Sequence, residues 1–464
     1  MSSTSDEDTS ECFDLAIVGG GAGGVLAAIH ALRLGTSGVR IALIEPASVL
    51  ARGVAYATTH VEHLLNVPAR RMSALDSEPD DFLDFLATLP LEVTREALAV
   101  SYAPRLHYGR YLRARLAQAQ QASPAMLHWF HDQAVALDHL TNSVQLTLDS
   151  GEVVHAHGVV LAVGNSSRPL PARGSAGLPP DAALEAWDFD AIKRVPPDAE
   201  LCIAGSGLSM VDTVLSLAQN GHRGRIHVVS RHALLPLPHT AHAVVEFDAA
   251  ALMTMNLRQR VRCLRLAARR AIEGGLPWQA VMENVRPKVR ELWCTLSHAD
   301  QRRFLRHVVR YWDVHRHRIA PQVHAQLRQL QDSGQLQLHR GRLDTVAREG
   351  QRIRVSLRMR DRRSQQLDVD RIINATGVEM RAQLMRNPLL ADLLVKGFAR
   401  AGAHGIGLDT TSAGELVDAD GRVQPQVMVM GSLRIGSLWE SIAVPELRGQ
   451  AEVAARQLLA AARG

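Results

Sequence analysis

The hydrophobic pattern at the start of the chain alternates between elements of different lengths. A short apolar run over residues 15–18 stops at the glycine cluster GGGAGG, and a longer apolar stretch, VLAAIHALRL, follows it. A second short run, VRIALIE, ends at Glu45. Because strands are short and helices longer, the pattern predicts a strand, a helix and a second strand over residues 14–45.

The glycines between the first strand and the helix have the spacing GxGxxG, with Gly19, Gly21 and Gly24 at its fixed positions. In such a unit the first glycine permits a tight turn, the second lets the backbone approach a pyrophosphate, and the third lets the helix pack on the strand. Glu45 ends the second strand, where an acid accepts hydrogen bonds from an adenosine ribose. We therefore expect a dinucleotide on this unit. The alternative is a glycine-rich buried turn without a ligand.

The same order of elements recurs over residues 201–231. The strand LCIAG leads into GSGLSM, and the helix VDTVLSLAQ and the strand RIHVVSR follow. Gly205 and Gly207 take the first two glycine positions, but Met210 stands at the third. The methionine implies looser packing of helix on strand, or a shifted helix start.

The second unit ends in a basic residue where the first ends in an acid. Arg231 lies 26 residues after Gly205, the interval that also separates Gly19 from Glu45. A cation there suits a 2′-phosphate, and the preceding Ser230 can add a hydrogen bond. The pattern favours NADP(H) over NAD(H). The alternative is an exposed arginine at a strand end.

Each half of the chain closes with an apolar strand that ends in a glycine. These strands are GVVLAVG, ending at Gly164, and DRIINATG, ending at Gly377. Residues 165–200 between the halves carry six prolines, which is typical of a domain connection. Two dinucleotide sites in one chain can hold an electron donor and an electron acceptor, and the acceptor is usually a flavin.

Composition narrows the class of protein. The chain has 464 residues with 46% hydrophobic content, enough for a large core. Its four cysteines are scattered without a CxxC pair, which argues against a disulfide framework, a zinc ribbon or a dithiol centre and favours the cytoplasm. Residues 15–32 are uncharged but contain five glycines after an acidic segment, so we expect neither a membrane span nor a signal sequence.

Residues 251–332 are rich in arginine and follow neither unit. They hold 15 Arg, one Lys and six acids, a local charge of +10. Leu257, Val261 and Leu264 recur at helical spacing, so we expect three or four inserted helices. No motif for reading nucleic acid accompanies the charge. A solvated face, or a face contacting the other domain or a subunit, is the favoured interpretation.

The stretch RYWDVHRHRIAP within this segment is the densest polar and aromatic cluster of the sequence. Tyr311 and Trp312 can wall a pocket, and Arg316 and Arg318 can hold a substrate carboxylate or phosphate. The alternative is a structural ion-pair role. Its histidines lie two positions apart, and the HxxH at residues 239–242 lacks further ligands, so we expect no metal.

These motifs resemble the bacterial FAD/NAD(P)-binding protein family, which are two-dinucleotide-domain flavoproteins similar to N-hydroxylating flavin monooxygenases. The matching stretches are GGGAGG (19–24), ARGVAY (51–56), HLLNVPARRMSAL (63–75), GSGLSMVD (205–212), RYWDVHRHRIAP (310–321) and GSLRIGSLWESIAVPELR (431–448). The resemblance implies an α/β fold with two three-layer Rossmann-like domains, the NADP domain inserted in the FAD domain, and an additional helical insert.

The expected domains follow from the motifs and this resemblance. They are a disordered tail (1–12), a first part of the FAD domain (13–170), a linker (171–196), an NAD(P) domain (197–377) with its helical insert at about 250–332, and a second part of the FAD domain (378–464). The C-terminal pattern AEVAARQLLAAA is compatible with packing on the core or with a homo-oligomer.

The resemblance also implies roles for residues outside the glycine turns. LLNVP would pass the flavin ring and place Asn66 beside it, the segment at Gly431 would cover the ribityl chain, and Trp439 and Glu440 would lie near the active site. A turn cap for Asn66 and core packing for the other two are the alternatives. The expected FAD residues are Gly19, Gly21, Ala22, Gly24, Glu45, Pro46, Asn66, Val67, Gly164, Gly377, Gly431 and Ser432. The expected NADP residues are Gly205, Ser206, Gly207, Leu208, Ser209, Ser230 and Arg231.

The resulting hypothesis is an NADPH-dependent flavin monooxygenase. NADPH would reduce FAD, O₂ would form a C4a-peroxyflavin, and a small amine or amino-acid-like substrate would be N-hydroxylated, with no protein nucleophile required. One alternative is an FAD-dependent reductase or dehydrogenase, with NADPH or NADH as donor, passing electrons to a small molecule or partner. Another is a nucleotide-binding protein without turnover. The expected partners are a small molecule and O₂, with neither nucleic acid nor membrane.

Overall fold

The computed structural model describes residues 12–91, 93–241 and 243–463, which form two compact units. The first unit contains the chain up to Thr59, Val67–Ser166 and the chain from Glu379 onward. The second unit contains His60–Asn66 and Ser167–Val378, so it is inserted in the sequence of the first. The predicted tail, apart from its last residue, and the second histidine of the HxxH motif lie outside the described residues.

A central parallel sheet of apolar strands organises the first unit. The strand order is β16-β17-β6-β1-β2-β3, and β4 and β5 form an antiparallel extension on β6. Strand β1 is FDLAIV, and a strand apolar on both faces belongs in a sheet that is covered on both sides. The strands are Phe13–Val18 (β1), Arg40–Ile44 (β2), Met126–Phe130 (β3), Ala134–His139 (β4), Val144–Leu148 (β5), Val153–Leu161 (β6), Glu415–Val417 (β16) and Val423–Val429 (β17).

Helices cover both faces of this sheet. Ile17 lies against α1 at Gly24, and α1 packs against α16 and α5. On the other face, Ala16 and Val18 share a buried cluster with leucines of α14. The helices are Ala22–Leu34 (α1), Gly53–Tyr56 (α2), Asp81–Ala87 (α3), Arg95–Val100 (α4), Arg105–Ala122 (α5), Pro388–Val395 (α14), Ile435–Leu438 (α15) and Val444–Ala461 (α16).

The second unit repeats this plan in a sheet of order β13-β12-β11-β10-β9-β14-β8. Strands β14, β9, β10 and β11 are parallel, as are β6, β1, β2 and β3 in the first unit. The strands are Ala183–Glu185 (β8), Leu201–Ala204 (β9), Ile226–Ser230 (β10), Leu336–Glu349 (β11), Arg352–Met359 (β12), Ser364–Val369 (β13) and Arg371–Asn374 (β14). Two short strands, Ser166–Ser167 (β7) and Val378–Glu379 (β15), lie at the unit boundaries.

The proline-rich segment between the halves forms regular structure. Within residues 171–196, β8 pairs in parallel with β14, and the helix Phe189–Lys193 (α6) packs against the helix Leu208–Gln219 (α7). Because the prolines lie outside these short elements, the chain pairs and packs between them. The segment therefore belongs to the second unit and widens its sheet.

The arginine-rich segment contains more helices than the expected three or four. Within the described residues they are Leu257–Glu273 (α8), Gln279–Val285 (α9), Val289–Cys294 (α10), His298–Arg303 (α11), Val309–Arg316 (α12) and Pro321–Asp332 (α13). The apolar periodicity used for the prediction falls within α8. Beyond it, Gly274, Gly275, Pro277 and Pro287 separate α8, α9 and α10, and α11 begins at its Ser297 cap. Helix α13 leads directly into β11 and completes the parallel crossover from β10.

Among the described residues, no helix combines the length and the apolar character that a membrane crossing requires.

Candidate nucleotide-binding sites

The turn after β1 has the geometry that the glycine spacing predicts. Gly19 has φ +106°, and a Cβ there would lie 2.4 Å from the carbonyl oxygen of Ala162. A Cβ at Gly24 would lie only 1.7 Å from the carbonyl oxygen of Gly19. Only glycine fits at either position, because each touches backbone that no side-chain rotation can move. The turn thus brings the first turn of α1 directly against the end of β1.

The N-terminus of α1 is open to an anion. Gly21 is its N-cap residue, no side chain of the described residues caps it, and its first turn holds no acid. A Cβ at Gly21 would have only Gly53 Cα within reach, at 4.0 Å. Free N–H groups and the helix dipole at such a terminus attract phosphate, so the residues present fit the pyrophosphate of a dinucleotide.

Glu45 is held in place by the backbone of the same turn. Its Oε2 accepts a hydrogen bond from Gly20 N at 2.6 Å, and its Oε1 accepts one from Ala47 N at 2.9 Å. Pro46 is exposed beside it. A carboxylate has about four acceptor positions, so both oxygens can still accept bonds from ribose hydroxyls.

Three other predicted flavin positions, Gly164, Gly431 and Ser432, lie at the same edge of the sheet. Strands β1, β6 and β17 are parallel and end there. Ser432 donates a hydrogen bond from Oγ to the carbonyl oxygen of Gly164 at 2.8 Å, and Gly431 N donates to Gln450 on α16 at 2.9 Å. Ser432 therefore donates its hydroxyl proton within the protein, and its oxygen can still accept a hydrogen bond from a ribityl hydroxyl.

The segment between Ser432 and α16 contains a strained residue. Trp439 has φ +63° and is 8% exposed, and Glu440 follows it directly. Positive φ is a rare conformation for a bulky residue and is found preferentially at functional sites. Pro445 lies in the first turn of α16 and Glu446 is an acid in that turn, and both are typical of a helix start.

The turn after β9 in the second unit has nearly the same backbone geometry as the turn after β1 in the first. Gly205 has φ +108°, and its Cβ would lie 2.2 Å from Ala375 O. Gly207 is the N-cap of α7, whose first turn again holds no acid and whose N-terminus no described side chain caps. Ser206, Leu208 and Ser209 lie in this turn and the start of α7.

Met210 replaces the third glycine without moving the helix start. Helix α7 begins three residues after Gly205, as α1 begins three residues after Gly19. Met210 is fully buried, whereas Gly24 leaves no room for a Cβ. The departure is therefore accommodated by the packing of α7 and not by a shifted helix start.

A cluster of arginines surrounds the end of β10. Burial, followed by the charges of Arg310, Arg342 and Arg168, lowers the pKa of Arg231. Burial, followed by the charges of nearby arginines that include Arg340 and Arg360, also lowers the pKa of His232. Four of these arginines form no ion pair with an acid in the described part of the chain: Arg231, Arg340, Arg342 and Arg360. Such an excess of unneutralised charge fits a dianionic phosphate.

The side chain of Ser230 belongs to the same loop. Its Oγ lies 2.9 Å from the Oγ of Ser206 and accepts a hydrogen bond from Ala233 N at 3.0 Å. Ala233 itself has φ +51°, so the loop after β10 is tightly turned. The predicted NADP residues Ser206, Ser230 and Arg231 are thus grouped at one end of β9 and β10.

Asn66 ends the short segment His60–Asn66, which belongs to the second unit although the chain on both sides of it belongs to the first. His239 donates from Nε2 to the carbonyl oxygen of Asn66 at 2.9 Å, and burial lowers the pKa of His239 to about 4, with Arg318 the next cause. His63 in the same segment has Nε2 at 2.9 Å from both Asp212 O and the Ser216 hydroxyl on α7. Val67 is the first residue back in the first unit.

The four predicted substrate residues fall into different surroundings. The ring of Tyr311 lies 5.4 Å from that of His232, next to the arginine cluster, whereas Trp312 packs edge-on against Phe304. Arg316 is buried, and Arg318 forms an ion pair with Glu283 on α9. Tyr311 therefore borders the predicted 2′-phosphate site, and Arg318 lies with His239 near Asn66.

Residues 16–166 match the family model described as FAD-NAD(P)-binding. These residues form an FAD-NAD(P)-binding domain. A comparison with curated protein sequences gives no significant match.

Solved structures resemble the chain over nearly its whole length. Ornithine N-hydroxylase of Kutzneria sp. 744, named with reduced FAD, NADP⁺ and L-ornithine, is 14% identical, with a TM-score of 0.66 over 96% of this chain and 99% of that one. Ornithine hydroxylase of Pseudomonas aeruginosa is 14% identical, with a TM-score of 0.66 over 97% and 99%. Bacillithiol disulfide reductase of Staphylococcus aureus is 13% identical, with a TM-score of 0.57 over 97% and 98%.

These findings confirm the predicted family resemblance and the predicted fold class, with two dinucleotide domains. The predicted oxidoreductase class and the predicted cofactors, FAD with NAD(P)H, agree with the description of the FAD-NAD(P)-binding domain. Among the described residues, no group of three or more His, Cys, Asp and Glu side chains is arranged to hold a metal.

Arg231 was predicted from the sequence, but most of the arginines that surround it at the end of β10 were missed. Arg168 lies in the predicted first domain, and Arg340, Arg342 and Arg360 lie in strands and a turn more than 100 residues after Arg231. A usable signal did exist, because RGR at 340–342 stands on β11, the parallel neighbour of β10. Neighbouring parallel strands bring residues at the same depth together, so the pairing would have predicted the contact.

Proposed function

We propose that this protein is an NADPH-dependent flavin monooxygenase that N-hydroxylates a small amine or amino-acid-like substrate. The observation that carries the proposal is the pair of matching turns at Gly19 and Gly205 in one chain. The first lies in the FAD-NAD(P)-binding domain, and the second is followed by arginines suited to a 2′-phosphate. The likeness to ornithine hydroxylases, which are proteins of this fold, supports the reaction class.

In this proposal the first unit holds FAD and the second holds NADPH. The N-termini of α1 and α7 bind the two pyrophosphates, and Glu45 orients the adenosine ribose of FAD. Arg231, with the neighbouring arginines, recognises the 2′-phosphate of NADPH. FAD and NADPH, when bound at these residues, would supply hydride transfer and the activation of O₂.

The remaining residues shape the flavin site in the proposal. Gly164, Ser432 and the N-terminus of α16 border the flavin, and a helix N-terminus stabilises negative charge on a reduced ring. Buried Trp439 excludes water from the reacting atoms. The overall reaction balances as amine, O₂, NADPH and one proton giving hydroxylamine, water and NADP⁺.

The test is anaerobic reduction of the purified yellow protein by NADPH and by NADH, followed by mixing with O₂ and L-ornithine. L-ornithine is the first probe because two of the similar structures are ornithine hydroxylases. NADPH-selective bleaching of the flavin, followed by formation of a hydroxylamine in proportion to NADPH oxidised, is the expected result. Lysine, putrescine and cadaverine form the second panel of amines.

An alternative function is a flavin-dependent reductase that passes electrons onward without oxygenation. The similarity to bacillithiol disulfide reductase supports it. A dithiol centre lacks such support, because Cys12, Cys202, Cys263 and Cys294 form no disulfide with one another and none of them stands in a CxxC pair. Fast reduction by NADPH with all the oxygen recovered as hydrogen peroxide, for every amine tested, would favour this alternative. No reduction by either nucleotide would leave a nucleotide-binding protein without turnover.

A further inference from the structure

The helical insert carries a basic groove that shares no residue with the proposed nucleotide sites. It has a volume of about 980 Å³ and runs along α8, with α11 and the helical turn Phe304–Val308 as its other wall. Arginines and a histidine line it, together with Leu257, Val261 and Val308 as apolar positions. Its basic side chains are Arg258, Arg262, Arg265, Arg269, Arg303 and His307.

The four arginines of α8 form a single row. They stand at positions i, i+4, i+7 and i+11, which places them within an arc of about 60° and along about 16 Å of the helix. All four are exposed, and none forms an ion pair with an acid in the part of the chain that the structure describes. The row is therefore an aligned set of unneutralised charges and not a scattered solvated surface.

Arg260, in contrast to the exposed row, is buried and has a structural role in the insert. It stands on the opposite face of α8, is 5% exposed, and donates to the carbonyl oxygens of Met253, Met255 and Leu292 and to the hydroxyl of Thr295. The helix is held by this one buried arginine and by a capping box at Asn256. The row on the other face contributes no such bond, so the fold of the insert does not account for it.

The wall opposite α8 supplies little negative charge. Asp300 is the one acid lining the groove; its Oδ1 accepts from Arg303 at 2.8 Å and its Oδ2 accepts from Leu257 N at 3.1 Å. Backbone and arginine hydrogen bonds lower the pKa of Asp300. Its charge is already used by these two partners, so it does not neutralise the row on α8.

We propose that this groove docks an acidic amphipathic helix of a partner protein. Carboxylates spaced one helical turn apart match four guanidinium groups spaced in the same way, and the apolar side chains between them match Leu257, Val261 and the exposed Leu266. A single phosphate would engage only part of a row of this length. The lining contains no Phe, Tyr or Trp on which nucleic-acid bases would stack.

The test uses the full protein and a fluorescein-labelled helical peptide of about 15 residues, with Glu at i, i+4, i+7 and i+11 beside a leucine stripe. Fluorescence anisotropy at low salt is expected to show saturable binding that weakens as salt is raised. The double variant R262E/R265E is expected to bind at least about tenfold more weakly. The matched control is R290E, an exposed arginine of α10 outside the groove.

A charge-swapped peptide makes the test specific. A peptide with two of its Glu replaced by Lys is expected to bind R262E/R265E better than the unaltered protein. Equal binding of a scrambled peptide of the same composition would overturn the proposal, as would tighter binding of a single-stranded DNA oligonucleotide or no binding at low salt. The rate of flavin reduction by NADPH is expected to be the same in R262E/R265E, R290E and the unaltered protein, which confirms that each variant is folded.

Discussion

The contact between α1 and the end of β1 is so close that one methyl group should break it. In Gly24→Ala the new Cβ would lie 1.7 Å from Gly19 O, and real Cβ contacts essentially never fall below 3.0 Å. The helix and the turn must then separate by at least 1.3 Å, the difference between these two distances. Both sides of the contact are backbone, and α1 is buried along most of its length, so no side chain can absorb the shift.

Overpacking of this kind costs about 3 kcal/mol, the upper end of its usual range. At roughly 2–4 °C per kcal/mol for a unit of this size, Tm should fall by about 6–12 °C. The measurement is thermal unfolding of the apoprotein and of the FAD-loaded protein, followed by fluorescence. Bound FAD, measured by absorbance after desalting, should fall as well.

Gly21→Ala is the matched control for this prediction. Its Cβ would meet only Gly53 Cα at 4.0 Å, so the apoprotein should keep its Tm. FAD affinity should still fall, because the methyl stands where the backbone must approach the pyrophosphate. A Gly24→Ala protein with unchanged Tm, or a Gly21→Ala protein destabilised equally, would refute the reasoning.

Three further substitutions test the roles of other residues. Arg231→Ala should raise KM for NADPH about tenfold and leave KM for NADH unchanged, since only NADPH carries the 2′-phosphate; steady-state kinetics with both nucleotides would check this. Buried His30 has its pKa lowered from 6.5 to about 4, mainly by desolvation, so its contribution to stability is present above pH 6.5 and is lost as pH falls towards 4. His30→Leu should therefore flatten the acid side of the stability curve, whereas exposed His157→Gln should leave it unchanged. Arg260→Ala should leave three carbonyl oxygens without their donor and destabilise the insert by about 3 kcal/mol or more, detected as faster proteolysis within the insert; Arg258→Ala, on the exposed face, should not.

The sequence predicted the parts of the fold that local spacing controls. The turns at Gly19 and Gly205 follow from glycine spacing between a strand and a helix, because that geometry is decided within a few residues. The start of α16 is a local feature of the same kind, since proline and an acid are typical of a first turn. The number of helices in the insert could not be predicted, because the chain beyond α8 breaks into short helices and its periodicity was clear only in α8.

Contacts between distant parts of the chain could not be predicted from local sequence patterns. Nothing near His63 in the sequence indicates that its ring meets Asp212 and Ser216, about 150 residues later. The arginines around Arg231 likewise come together only through the pairing of β10 with β11. The geometry of a single turn could therefore be predicted from the sequence, whereas contacts assembled by the sheet could be predicted only in part.

The discontinuous first unit has a consequence for its synthesis. Helix α1 packs against α16, yet roughly 400 residues are translated between them, which takes about 20–80 s at ordinary ribosomal rates. During that time the apolar surface of α1 lacks this neighbour. Strand β17, Gly431 and Ser432, which our proposal places beside the flavin, also emerge late. FAD should therefore enter only after α16 has left the ribosome, and a nascent chain arrested before Val444 should stay colourless.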